Sequence, residues 1–237
     1  MIAAIHQPNF IPWIGYFYKM LKADQFIFLD DVQFNRRGYT ARVKIKSING
    51  ESWLSVPTQK KGRYLQSVMD VELEQDEKWK KKIIGSFQSF YGRTNFFKTY
   101  FPEIESIILK EYQNLSELNI ALIHLLARQF NIQTQTIKSS ELDGIDGQAT
   151  DRLISICKAV EADKYLSGFG GQNYQEKEVF EQNGLELIVY DFIHPVYQQQ
   201  WGDFIAGLSA VDLLFNCGPH SIEIIKNCGS RSLNNGI

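Results

Sequence analysis

The first thirty residues constrain this chain more than any other stretch. Ile2 to Ile5 is a short apolar run closed by His6-Gln7-Pro8, and it reads as a buried strand. From Pro12 the apolar residues Trp13, Phe17, Met20 and Leu21 follow at helical spacing, with the proline suited to a first turn. Phe26 to Leu29 is a second apolar strand and runs into Asp30-Asp31. Strand, helix and strand in so short a span make a βαβ unit. Its connection makes the strands parallel, and its ligand site lies beyond their carboxyl ends. His6, Gln7, Asp30 and Asp31 all fall at such ends.

The pattern then changes twice. Arg42 to Ser47 alternates, with Arg42, Lys44 and Lys46 on one side and Val43 and Ile45 on the other; Asn49-Gly50 suits a tight hairpin returning along Ser52 to Val56. Helical spacing follows over Asp76 to Tyr91, Phe101 to Tyr112 and Ser116 to Phe130, with Pro102 near a start. The α/β pattern resumes with a strand at Thr134 to Ile137 and a helix at Asp151 to Val160 that Thr150 can cap. A strand at Lys164 to Leu166, a helix from about Tyr174 to Gln182 and a strand at Leu185 to Tyr190 come next. Ser209 and Asp212 resemble a capping box opening a helix through Phe215, Pro219 suits the start of another, and the chain after Asn227 reads as frayed. One domain is expected over residues 1–237, with an α/β core in 1–71 and 132–228 and a helical insertion in 72–131.

Composition excludes several classes. The 237 residues are enough for a core without staples, and 44% hydrophobic with 22% charged residues excludes a disordered or fibrous chain. A net charge of −2 supplies no positive field for nonspecific binding of nucleic acid. Cys157, Cys217 and Cys228 form no CxxC pair, which points to a reducing compartment rather than disulfides or structural zinc. Met1 to Ile5 has neither a basic flank nor a cleavage site, and no later run reaches membrane-spanning length, so a cytoplasmic location is expected.

The candidate chemistry gathers at strand ends. Ser167-Gly168-Phe169-Gly170-Gly171 lies between a strand and a helix, where missing side chains let a ligand approach backbone N–H groups; the alternative is a tight turn only. Tyr174 can stack on a base or sugar, or pack at a helix start. His194 follows a strand, and Asp191 can orient its imidazole as a general acid/base pair; otherwise the histidine hydrogen-bonds its own loop, and His6 has the same two readings. Arg36, Arg37, Arg42 and Lys44 can grip a phosphate or carboxylate, or form a solvated face with Asp30 and Asp31. The lysine run at Lys78, Lys80, Lys81 and Lys82 is expected to face solvent. No GxSxG, HExxH or Walker sequence is present, and no motif identifies a cofactor.

These segments resemble the WbqC-like family: residues 6–17 (HQPNFIPWIGYF), Ala23-Asp24 leading to residues 28–34 (FLDDVQF), residues 165–171 (YLSGFGG), His194-Pro195-Val196-Tyr197 and residues 212–219 (DLLFNCGP). The chain departs at Ala41-Arg42, where the family often has Asn-Arg. The resemblance implies a role in bacterial O-antigen or related polysaccharide assembly, on a nucleotide-linked or carrier-linked sugar. Acyl or aminoacyl transfer to an amino sugar, from an acyl donor, is the implied reaction. The layout is also similar to nucleotidylyltransferase-like α/β enzymes, which implies a parallel-sheet, Rossmann-like core with the helical region inserted. In those enzymes the first helix opens on HxGH; here Trp13-Ile14-Gly15-Tyr16 stands in its place without either histidine. A nucleotidylyltransferase or ATP-dependent ligase, and a noncatalytic sugar-nucleotide binding module, are the alternatives.

Overall fold

A computed structural model of the chain describes residues 1–59, 65–168 and 177–232. The opening unit folds as expected: β1 (Ile2–His6), α1 (Ile14–Leu21) and β2 (Gln25–Phe28), with β1 and β2 parallel from Ala3 opposite Gln25 to His6 opposite Phe28. β5 (Gln135–Lys138) joins the outer side of β2, while β6 (Lys164–Gly168) pairs with the other side of β1 and β7 (Glu186–Phe192) lies beyond it, all parallel. β8 (Ser230–Ser232) closes that edge antiparallel to β7, a strand where the sequence reads as frayed. The full order is β5-β2-β1-β6-β7-β8. Counted along the chain, the parallel strands therefore run 3-2-1-4-5. The order reverses between β1 and β6, the switch point of a doubly wound sheet.

The central strands are apolar because helices bury both of their faces. Ala3, Ile5, Ile27 and Tyr165 meet residues of α5 (Ala149–Ala159) and α6 (Lys177–Gln182) on one side. Ala4, Phe26, Phe28 and Leu166 share the other with α1, α2 (Lys78–Tyr91), α3 (Phe97–Leu109), α4 (Leu115–Gln129), α7 (Ala210–Cys217) and α8 (Ser221–Lys226). The helices between β2 and β5 thus contribute to a core shared with the sheet, as Phe17 against Phe130 (5.1 Å) illustrates. β3 (Arg42–Ser47) and β4 (Gly50–Ser55) form a separate hairpin. None of the described helices is long and apolar enough to cross a membrane.

Several boundaries differ from expectation for local physical reasons. Ser47 pairs with Gly50, so the hairpin turn is Ile48-Asn49 rather than Asn49-Gly50; Gly50 takes φ +99°, which lacks a steric penalty only for glycine. α3 begins a turn before Pro102, because Phe97 stacks on Phe101 (4.4 Å) and both rings pack on Phe215. α5 begins at Ala149, which puts Thr150 inside the helix and Gln148 at the cap. Ser209 caps α7 through the Val211 amide, but Asp212 turns into the core instead of back to the cap. Lys80 is buried rather than solvent-facing: it pairs with Glu77 and donates to the carbonyls of Leu109 and Lys110 at the end of α3.

Candidate functional site

At the switch point the sheet opens. β1 pairs with β2 as far as His6, and β6 with β7 as far as Gly168, but β1 and β6 pair only to Ala4 opposite Leu166. Their last two residues diverge. Successive carbonyls on a parallel strand face alternate neighbours. That of His6 accepts from the Leu29 amide on the β2 side, so that of Ile5 faces β6. It meets no strand; Lys19 Nζ donates to it at 2.8 Å. Lys19 leaves α1 on one face of the sheet, yet its ammonium lies 5.7 Å from the ring centre of Tyr165, whose side chain belongs to the other face. The lysine passes through the gap.

Burial lowers the pKa of Lys19 to about 7. Burial, and then the charge on Lys19, lowers His6 to about 4, so its imidazole is neutral at pH 7. His6 Nδ1 faces the Gln7 carbonyl at 3.0 Å, which assigns the proton to Nδ1 and a lone pair to Nε2. Its ring meets Tyr16 edge-on at 4.8 Å. Gln7 is held at both ends: its carbonyl accepts from Tyr16 (3.2 Å), and its Oε1 accepts from Thr40 Oγ1 (3.1 Å). Across the gap Ser167 is buried, with Oγ donating to the Gly168 carbonyl at 3.2 Å. A Cβ at Gly168 would meet no atom of the described residues within 4 Å. The β1–α1 loop holds Ile11 at φ +42° with no exposure, a strained setting for a β-branched residue of the kind that gathers at functional sites.

His194 follows β7. Its Nδ1 faces the Pro195 carbonyl at 3.0 Å, and its Nε2 is buried without a partner among the described residues. Trp13 (6.3 Å), Phe192, Tyr197 and Phe204 surround the ring, and burial lowers its pKa. Tyr197 and Tyr91 each donate to Asp212, at 2.8 and 3.0 Å, and burial raises the Asp212 carboxyl. These bonds fix the segment after His194 to the core. Ser209 Oγ donates to the Ile11 carbonyl at 2.8 Å, and Trp13 bridges to Ser209. The β1–α1 segment therefore contacts both histidines, His6 through Tyr16 and His194 through Trp13.

The other sequence candidates occupy distinct places. Asp30 accepts from the Ser140 amide (3.1 Å), Ser140 Oγ (2.8 Å) and Ser139 Oγ (3.2 Å). Asp31 accepts from Ser139 Oγ at 2.6 Å and pairs with Arg152. The two carboxylates tie the end of β2 to the turn after β5 and to α5. Arg36 and Arg37 are exposed in the loop before the hairpin. The Arg42 guanidinium lies 4.3 Å over the Trp53 ring and donates to the Arg37 carbonyl, while Lys44 pairs with Glu51, so these cations have partners other than Asp30 and Asp31. Gly170, Gly171 and Tyr174 lie outside the described residues, and only the backbone of Asp191 is described. Lys19 is the residue that sequence reasoning missed. Its signal was present: Lys19 is the one charged residue of Ile14–Leu21, and a helix that is apolar all round buries whatever charge it carries, as the burial of Ile14 to Met20 bears out.

An open, mostly parallel α/β sheet whose strand order reverses between β1 and β6 defines an α/β fold class that hosts many chemistries, so the fold does not by itself name the function. Within that class the chain belongs to the WbqC-like protein family, whose profile matches residues 7–224. It is 32% identical over 225 residues to "Uncharacterized protein Rv1507c" of Mycobacterium tuberculosis, a match covering 94% of this chain and 96% of that protein. No solved structure matches the chain.

Proposed function

We propose that this protein is a transferase of bacterial polysaccharide assembly. It holds a nucleotide-linked or carrier-linked amino sugar at the carboxyl edge of its sheet and moves an acyl or aminoacyl group onto the sugar amine. The observation that carries this reading is the gap between β1 and β6, placed where doubly wound sheets bind nucleotides. A Rossmann-like, nucleotidylyltransferase-like core accounts for the strand order. His6 or His194, each neutral with one ring nitrogen satisfied by a carbonyl, takes the proton from the attacking amine and returns it to the donor's heteroatom as the bond from that atom to the acyl carbon breaks. The backbone around Gly168 supplies donors to the developing oxyanion, and Arg36, Arg37 or Arg42 holds an anionic group of the substrate or donor.

A thermal-shift panel of nucleotide sugars, acyl-CoAs and nucleoside triphosphates tests the reading. A ligand at a hundred times its Kd stabilises by about 2.7 kcal/mol, a rise in Tm of about 5–10 °C for a chain of this size. Stabilisation by a nucleotide sugar and by an acyl donor is expected, with turnover lost in His6→Gln or His194→Gln at unchanged Tm. ATP or CTP binding with pyrophosphate release would instead establish the nucleotidylyltransferase, and sugar-nucleotide binding without turnover the binding module.

A further inference from the structure

We propose that Lys19 is the anion anchor of this crevice, donating from its ammonium group to a phosphate oxygen of a nucleoside diphosphate or nucleotide-linked sugar. The inference rests on the crevice being the ligand site and names the part of the ligand held there.

The molecule supplies its own comparison. Three lysines among the described residues are buried: Lys19, Lys46 and Lys80. An ammonium has three N–H donors. Lys46 spends its donors on Gln199 Oε1 and the carbonyls of Gly202 and Asp203. Lys80 spends its own on Glu77 and the carbonyls of Leu109 and Lys110. Lys19 has the Ile5 carbonyl as its one hydrogen-bond acceptor among the described residues, and no carboxylate pairs with it there. Among the described residues the titratable groups facing it are His6 on β1, Cys157 on α5 and Tyr165 on β6. His6 is neutral at pH 7, and burial pushes the Cys157 thiol up to about 12, so neither supplies a negative charge.

A buried cation without a counter-ion is costly, and a phosphate oxygen supplies both the missing charge and acceptors for the idle donors. β1 and β6 part beyond Ala4 and Leu166, and a Cβ at Gly168 would meet no atom of the described residues within 4 Å; the anion would enter between these two strand ends. Binding of the anion draws a proton onto Lys19, because an opposite charge favours the charged form.

Calorimetric titration of the full chain with UDP, GDP, CDP and dTDP, from pH 7.5 to 9.0 and in two buffers of different ionisation heat, tests this. A phosphomonoester has its second pKa at about 6, so the phosphates do not titrate in that range, and CDP, whose base carries no acidic ring N–H, controls for ionisation of the uracil, guanine and thymine rings toward its upper end. Wild type is expected to bind at least one probe, to take up close to one proton per ligand at pH 8.5 and to lose about tenfold in affinity per pH unit. Lys19→Met is expected to lose tenfold or more at pH 7.5 with no proton uptake, and Lys19→Arg to keep more of the affinity than Lys19→Met. Should Lys19→Met fail to fold, proton uptake by wild type decides. If wild type binds a probe and Lys19→Met binds it equally, or if wild type takes up no proton, the anchor is overturned while the crevice stands. Binding of none of the four by wild type overturns both.

Discussion

Replacing Lys19 by methionine removes the charge but keeps most of the side chain's volume, and its effect on stability should depend steeply on pH. Lys19 is 6% exposed, and its pKa falls from an ordinary 10.5 to about 7. Below pH 7 the ammonium is protonated in both native and unfolded chains, so the native state carries the full cost of burying it. At about 1.4 kcal/mol per pH unit that cost is about 5 kcal/mol. Between pH 7 and 10.5 the unfolded chain binds the proton and the native chain does not, so wild-type stability rises with pH and the cost fades. Methionine escapes the cost but leaves the Ile5 carbonyl without its donor, a loss of about 1–3 kcal/mol. The variant is therefore expected to be about 2–4 kcal/mol more stable than wild type at pH 6.5. That advantage should shrink by about 3 kcal/mol by pH 9.5. Urea denaturation at four pH values between 6.5 and 9.5 measures the difference directly. A difference that stays constant over this range would refute the reasoning, since it would mean that Lys19 titrates alike in both states.

Gly15→Ala would bring a Cβ within 2.3 Å of the Trp13 indole, which packs against Phe192 and His194. Overpacking of about 1–3 kcal/mol, partly offset by helix propensity, should lower stability by about 1–2 kcal/mol and shift tryptophan emission; unchanged values of both would contradict this packing. For His6 the unfolded imidazole takes up a proton near pH 6.5 while the native one resists until about pH 4. Wild type should thus lose about 3 kcal/mol as the pH falls between those values, a loss that acid titration should find absent in His6→Gln. Asp30→Ala removes the acceptor of three hydrogen bonds at the end of β2. It should cost about 2–4 kcal/mol in denaturation experiments, and a cost under about 1 kcal/mol would show that the turn after β5 stands without it.

What the sequence displayed clearly was whatever depends on near neighbours. The βαβ opening was legible because Ile2 to Ile5 and Phe26 to Leu29 are apolar on both faces, and the hairpin because Val43 and Ile45 alternate with charge. The hairpin turn was misplaced by one residue because Asn49-Gly50 is a good turn pair in isolation, whereas the pairing of Ser47 with Gly50 is set by the whole ladder. Pro102 looked like a helix start until Phe215, more than a hundred residues on, packed against Phe97 and Phe101. The lysines were the hardest to place. Lys46 and Lys80 resembled surface charge because their acceptors are backbone carbonyls and side chains, some far along the chain, which no local pattern reveals. The gap between β1 and β6 was likewise invisible, because β6 is brought beside β1 by the crossover from β5 through α5, which passes over β2 and β1. His6 and Ser167 were legible as strand-end residues expected to share one site; that a gap in the β1–β6 pairing lies between them was not.

Amide hydrogen exchange, measured with and without the nucleotide sugar that most raises the melting temperature, addresses the crevice itself. Slowed exchange at the ends of β1 and β6, in residues 5–7 and 165–168, with the hairpin and α2 to α4 unchanged, is expected. Protection confined to those outlying elements, with the ends of β1 and β6 exchanging as in the free protein, would place the ligand elsewhere and remove the switch point from the chemistry.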